Sequence, residues 1–275
     1  MKILITISGF LLSFSSYAQQ SDREAIYNIF QKNNLGVDAS LQSAQTAFEN
    51  FISHHPNSNY NLIALFYLGE IAHRLDKTDS ALLFYNKALA FTIPDSLDEM
   101  SCRNSAAKRL AEIYIAKGIY CSALDYLDIA ANNFLPRYSC GLAHMENRAK
   151  MNILYSKCYM GLGEPAKAIS LLSPYAFAFG FGNSDKIVTE LYNDWLKVYS
   201  KEDIKKEFVD LENKILITKE LIRDYTFYHA KIKIFNSEVE IPSFELSLDK
   251  MTEQQQIHAC ATKIRTSEIY KLAEN

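Results

Sequence analysis

Three times in the middle of the chain a small residue and an alanine stand twelve positions apart: Gly69 and Ala81, Ala111 and Ala123, Ser156 and Ala168. Where two antiparallel helices joined by a tight turn come closest, only small side chains fit, so a constant interval marks one crossing point per helix pair. A single such pair cannot bury its apolar stripe alone. Recurrence of the interval therefore restricts the chain to helix pairs stacked on one another.

The residues around each crossing carry the rest of the pattern. Leu65, Leu68, Gly69 and Ala72 precede Ala81, Tyr85, Ala88 and Pro94. Leu110, Ala111 and Tyr114 precede Ala123, Leu127, Ala130 and Pro136; Tyr155, Ser156 and Tyr159 precede Ala168, Leu172 and Tyr175. Apolar residues at three- and four-residue steps give each helix one buried stripe, and proline cannot continue the second helix. This arrangement resembles the tetratricopeptide repeat (TPR). The resemblance implies a mainly α, right-handed helical-repeat solenoid, and a concave groove lined by the first helix of each pair. Carried onto this chain, the groove positions are Phe66, Glu70, His73, Lys108, Glu112, Ile115, Ile153, Lys157 and Met160. They lack the Lys and Asn set with which some members of that family hold a terminal carboxylate. A degenerate fourth pair precedes these, with a short helix over about Asp22 to Asn33 and a second carrying Ala44, Phe48, Phe51 and Pro56.

Gly118 and Gly163 fall in the turns inside their pairs, where a left-handed residue often follows a helix end. The turn Leu75 to Asp79 places Asp there instead. Pairs start 42 and 45 residues apart, against about 34 for the standard unit. The excess is expected between pairs, near Asp95 to Ser101 and Arg137 to Ala143, as loops or longer first helices.

The N-terminus reads as a removed secretion signal, residues 1–18: a positive Met1-Lys2, an apolar Ile3 to Phe14, and small residues ending at Ala18. This opening resembles the export signals of Bacteroidetes-type bacteria. It implies an exported protein of the periplasm or cell surface. No later run is long and apolar enough to span a bilayer. Repeats are expected over 22–183, a capping helix pair over 184–224, and a β-hairpin with C-terminal helices over 225–275. In the capping pair a helix from Ser184 to Tyr199 carries Leu191, Trp195 and Val198 on one side, and a second runs from the Ser200 cap to about Arg223. Tyr228 to Phe235 and Glu238 to Ile241 alternate as the only strands. A turn at Asn236-Ser237 would pair Ile234 with Val239, Ile232 with Ile241, and Lys233 with Glu240. Lys250 to Leu272 reads as one or two amphipathic helices.

A formal charge of −3 without a Lys/Arg cluster gives no electrostatic ground for nucleic acid. The five cysteines fit neither a zinc ribbon nor a Cys-x-x-Cys pair, and read as buried small hydrophobes, with a Cys102–Cys140 bridge as the alternative. His54-His55 suits a helix end better than a metal, and His73, His144, His229 and His258 are isolated. Neither a phosphate loop nor a Gly-x-Ser-x-Gly elbow occurs. The expectation is thus a non-enzymatic adaptor, with no cofactor, metal or catalytic residue, that binds a peptide segment or another protein. Two alternatives are a sensory component of an envelope signalling system, and a small enzyme or inhibitor appended to a solenoid.

Overall fold

The computed structural model describes residues 20–93, 98, 101–136, 141–177, 184–223, 225–235, 237–242 and 248–275. The expected signal segment, Pro94 and Cys140 lie outside the described residues. The chain is mostly helical, with a small antiparallel sheet near its C-terminus, and divides into two compact units, Met1–Arg137 and Tyr138–Asn275.

The first unit holds α1 (20–32), α2 (Leu41–His54), α3 (Asn61–Arg74), α4 (Thr78–Ala90), α5 (Cys102–Ala116) and α6 (Tyr120–Asn132). Neighbours pack in sequence from α2 to α6, and α3 also meets α5. The stripe residues form the core: Ala44, Phe48 and Phe51 of the degenerate pair, then Leu68, Ala81, Tyr85 and Ala88, and next to them Leu110. Gly69 has a specific task. A Cβ there would lie 2.5 Å from Cε1 of Tyr85, so α3 and α4 approach with the tyrosine ring seated on the bare glycine. The second helices stop before the expected prolines: α4 ends at Ala90 and α6 at Asn132. At the start of α5, the Asp98 carboxylate accepts the N–H groups of Cys102 (2.6 Å) and Arg103 (3.1 Å) and pairs with the buried Arg103 side chain.

The turns inside the three pairs that follow the degenerate one share a design. After α3, the N–H of Asp76 donates to His73 O (3.1 Å) and that of Lys77 to Ala72 O (2.9 Å). After α5, Gly118 donates to Ile115 O (2.9 Å) and Ile119 to Tyr114 O (2.9 Å). In the second unit Gly163 donates to Met160 O (3.1 Å) and Glu164 to Tyr159 O (2.8 Å). These are Schellman turns, which need one left-handed residue. Asp76 (φ 56°), Gly118 (φ 73°) and Gly163 (φ 76°) supply it, as the spacing predicts.

The second unit holds α7 (Gly141–Gly161), α8 (Pro165–Leu172), α9 (Ser184–Leu196), α10 (Lys201–Glu207), α11 (Leu211–Lys214), β1 (Ile215–Ile222), β2 (Tyr225–Ile234), β3 (Ser237–Ile241), α12 (Glu253–Thr266) and α13 (Glu268–Glu274). At 21 residues α7 absorbs much of the long spacing, as a longer first helix. Ser156 of the third crossing donates its hydroxyl to Asp194 of α9, a fully buried carboxylate that also takes the Lys197 ammonium at 2.8 Å. Trp195 is core, against Phe208 and Phe235.

Two sequence expectations fail here. The helix expected from the Ser200 cap through Arg223 ends at Glu207, a four-residue α11 follows to Lys214, and Ile215–Ile222 is a third strand. Asp210 adopts φ 58°, which breaks the helix, and the β-branched Ile215 and Ile217 pair with Ile232 and Ala230 of β2. The hairpin register also differs: Ile232 faces Val239, Ile234 faces Ser237, and Lys231 faces Glu240. Both registers keep Ile232, Ile234, Val239 and Ile241 on one face, because a shift of two preserves the period. Ring contacts decide between them. Phe235 accepts φ 51° while its ring stacks on Tyr199 at 3.8 Å, and its N–H reaches Glu207 (3.1 Å). The Ile/Val face packs with Cys260, Ala261 and Ile264 of α12 in one apolar core. A filled interface of that kind counts against an appended enzyme there.

Candidate protein-binding face

On the first unit, α3, α4 and α5 bring four polar side chains into one network. The Arg109 guanidinium meets Glu70 two-pronged, Nε to Oε1 at 2.8 Å and Nη2 to Oε2 at 2.9 Å, and its Nη1 reaches Oε2 of Glu112 at 2.8 Å. Tyr85 donates its hydroxyl to Glu70 Oε1 at 2.6 Å. Side-chain exposures of 39 % for Arg109, 23 % for Glu70 and 39 % for Glu112 keep the network open to solvent on one side. Phe66, one turn before Glu70, is half-buried against the rings of Tyr67 (5.3 Å) and Tyr85 (6.0 Å). The result is a rigid surface: an aromatic ledge beside a charged fork whose geometry is set by bidentate bonding.

Electrostatics follow from that packing. Burial pushes the Tyr85 hydroxyl above the ordinary phenol range, and the bond to Glu70 and its charge add to the effect. Burial works against the charged form of Arg109, but its bonds to Glu70 and Glu112 outweigh it and raise the group further.

The expected groove positions separate into groups. Phe66 and Glu70 meet around Tyr85, and Glu70 and Glu112 meet around Arg109. His73 is exposed one turn beyond Glu70, and Lys108 and Ile115 are half-buried on α5. On the second unit, Ile153 of α7 packs on the apolar core, Lys157 pairs with Glu190 of α9 at 3.8 Å, and Met160 is half-buried. Arg109 and Tyr85 are the functional candidates that sequence reasoning missed. Tyr85 reads as a stripe residue, which it also is. Arg109 sits three residues before Glu112, a pairing distance on a helix that was visible in the sequence.

Among the described residues, no group of three or more His, Cys, Asp and Glu side chains could hold a metal ion, and no helix is long and apolar enough to cross a membrane. Cys102, Cys158 and Cys260 are buried free thiols, and Cys121 is exposed. Burial raises Cys158 and Cys260 to about 11 and Cys102 further still, with Asp98 adding to the last.

Paired helices, recurrent Schellman turns and close approaches at small residues make this a helical-repeat protein. No family model matches the chain, and no curated protein matches it. Among solved structures it is similar to a point variant of nearly identical TPR-like repeats, of kinesin light chain type, from Podosopora anserina. That likeness has 16% sequence identity and a TM-score of 0.46, and covers 65% of this chain and 85% of that one.

Proposed function

We propose that the chain is a non-enzymatic scaffold that binds a peptide segment or a protein on the first-helix face of its repeats, and that it works after export, in the periplasm or at the cell surface. The observation that carries the binding reading is the half-exposed Phe66–Glu70–Arg109–Glu112 face, held rigid by bonds from three helices. A preorganised surface of this kind loses little side-chain freedom on binding. An aromatic anchor flanked by charges supplies affinity and selectivity respectively. Export rests on the sequence of Met1 to Ala18.

The test is capture of partners from the native envelope by the chain lacking residues 1–18, compared with its Phe66→Ala variant. Phe66→Ala is expected to weaken capture by at least about 1 kcal/mol with little change in melting temperature. A sharp fall in melting with unchanged affinity per folded molecule would make Phe66 a packing residue and refute the face. Immunodetection of the tagged chain in fractionated cells tests export; retention in the cytoplasm would end that part of the reading.

A further inference from the structure

Resting on the reading of this face as a protein-binding one, we propose that its occupant is a segment of a partner protein that sets a lysine or arginine beside an apolar side chain. The argument is charge complementarity. Two carboxylates, Glu70 and Glu112, share one guanidinium. Both Glu70 oxygens are spent on Arg109 and Tyr85, whereas Glu112 gives only Oε2 to Arg109, which leaves Oε1 at a 39 % exposed side chain for an incoming donor. Three of the five Arg109 N–H groups are already committed, so its single charge cannot balance both acids.

The wider field has the same sign. Arg74, at the end of α3, is bound to Asp38 and to the Leu35 carbonyl. Even with Lys108, half-buried on α5, counted in full, the surrounding unit stays acidic: residues 20–136 carry thirteen acidic and nine basic side chains. Such a surface attracts a cation and repels a carboxylate. Phe66 and Tyr67, half-buried at its edge, offer the apolar contact. An acidic segment would bring no such complement.

Fluorescence anisotropy with the chain lacking residues 1–18 and two short synthetic peptides tests this. The peptides are blocked at both ends and identical, except that the residue after a single phenylalanine is lysine in one and glutamate in the other. The lysine peptide is expected to bind about threefold to tenfold more tightly, with a preference that shrinks as salt is added. Glu112→Gln, which keeps an acceptor for Arg109, should cut the preference to within about twofold while leaving the circular dichroism unchanged. Phe66→Ala should weaken both peptides. Equal binding, or tighter binding of the glutamate peptide, overturns the basic preference while leaving the face as a binding site. Undiminished preference in Glu112→Gln removes this network as its source. Failure of both peptides to bind at about millimolar concentration overturns the face itself.

Discussion

Replacing Gly69 with alanine puts the helix-pair geometry to its most direct test. The added methyl would sit 2.5 Å from Cε1, 2.6 Å from Cδ1 and 3.1 Å from Cγ of Tyr85, all inside contact distance. The ring is fully buried and its hydroxyl is tied to Glu70, so it has no free direction of retreat. Overpacking of this kind costs about 1 to 3 kcal/mol, and displacing the ring puts at risk a hydrogen bond to a charged group of about 1.5 kcal/mol. Alanine recovers about 0.5 to 1 kcal/mol over glycine in a helix interior. The net expectation is a loss of about 1 to 3 kcal/mol, read by urea unfolding followed with far-UV circular dichroism. Tyr85→Leu should remove part of that loss, so in the double variant the two changes should cost less together than separately. Gly141→Ala is the control, because among the described residues nothing lies within 4 Å of that position and its backbone is helical. Equal stability of Gly69→Ala and the parent, or strict additivity with Tyr85→Leu, would refute the seating of ring on glycine.

Asp76→Gly should stabilise by about 0.5 kcal/mol, since removing a left-handed penalty of about 1 kcal/mol outweighs the extra freedom of the unfolded chain; a lower melting temperature would argue against the shared turn. Gly118→Ala, at the equivalent turn with open space around it, should instead cost about 1 kcal/mol. Phe235→Ala keeps the positive φ but loses the stacking on Tyr199, and should destabilise by about 1 to 3 kcal/mol; an unchanged melt would mean that the ring does not hold the turn. At about pH 8, disulfide-exchange labelling mapped by mass spectrometry should modify Cys121 quickly and spare Cys158 and Cys260, whose thiols stay protonated below about 11. Cys102 should behave likewise, and fast labelling of any of the three in the folded chain would contradict its burial.

Legibility from sequence followed the range of the forces involved. Stripe residues and turns depend on neighbours three to five positions away, so Ala44, Phe48, Ala81, Ala123 and the turns at Asp76, Gly118 and Gly163 were readable. Strand β1 was not, because Lys214 to Ile222 carries helix formers among its β-branched residues and becomes a strand by pairing with β2. The hairpin faces were readable and its register was not: period two fixes the faces, whereas the register depends on Phe235 meeting Tyr199, a residue far back along the chain. At the candidate face, Glu70 and Glu112 follow from the repeat resemblance. That they share Arg109 depends on α3 meeting α5, a contact no local spacing announces.

The hydrogen bond from Ser156 to the buried Asp194 has an evolutionary consequence. Arrays of like units gain and lose copies through unequal exchange of similar gene segments, and most junctions tolerate this because greasy surfaces of similar shape are interchangeable. At this junction the following helix brings a carboxylate that needs a hydroxyl to meet it. A copy spliced in between, offering glycine or alanine where serine stands, would leave that buried carboxylate with the Lys197 ammonium as its one remaining side-chain partner, at a cost of about 1 to 3 kcal/mol. A change of copy number next to α9 therefore carries a polar cost that an apolar junction does not, and lineages that lengthen or shorten this array are expected to do so more often elsewhere along the chain.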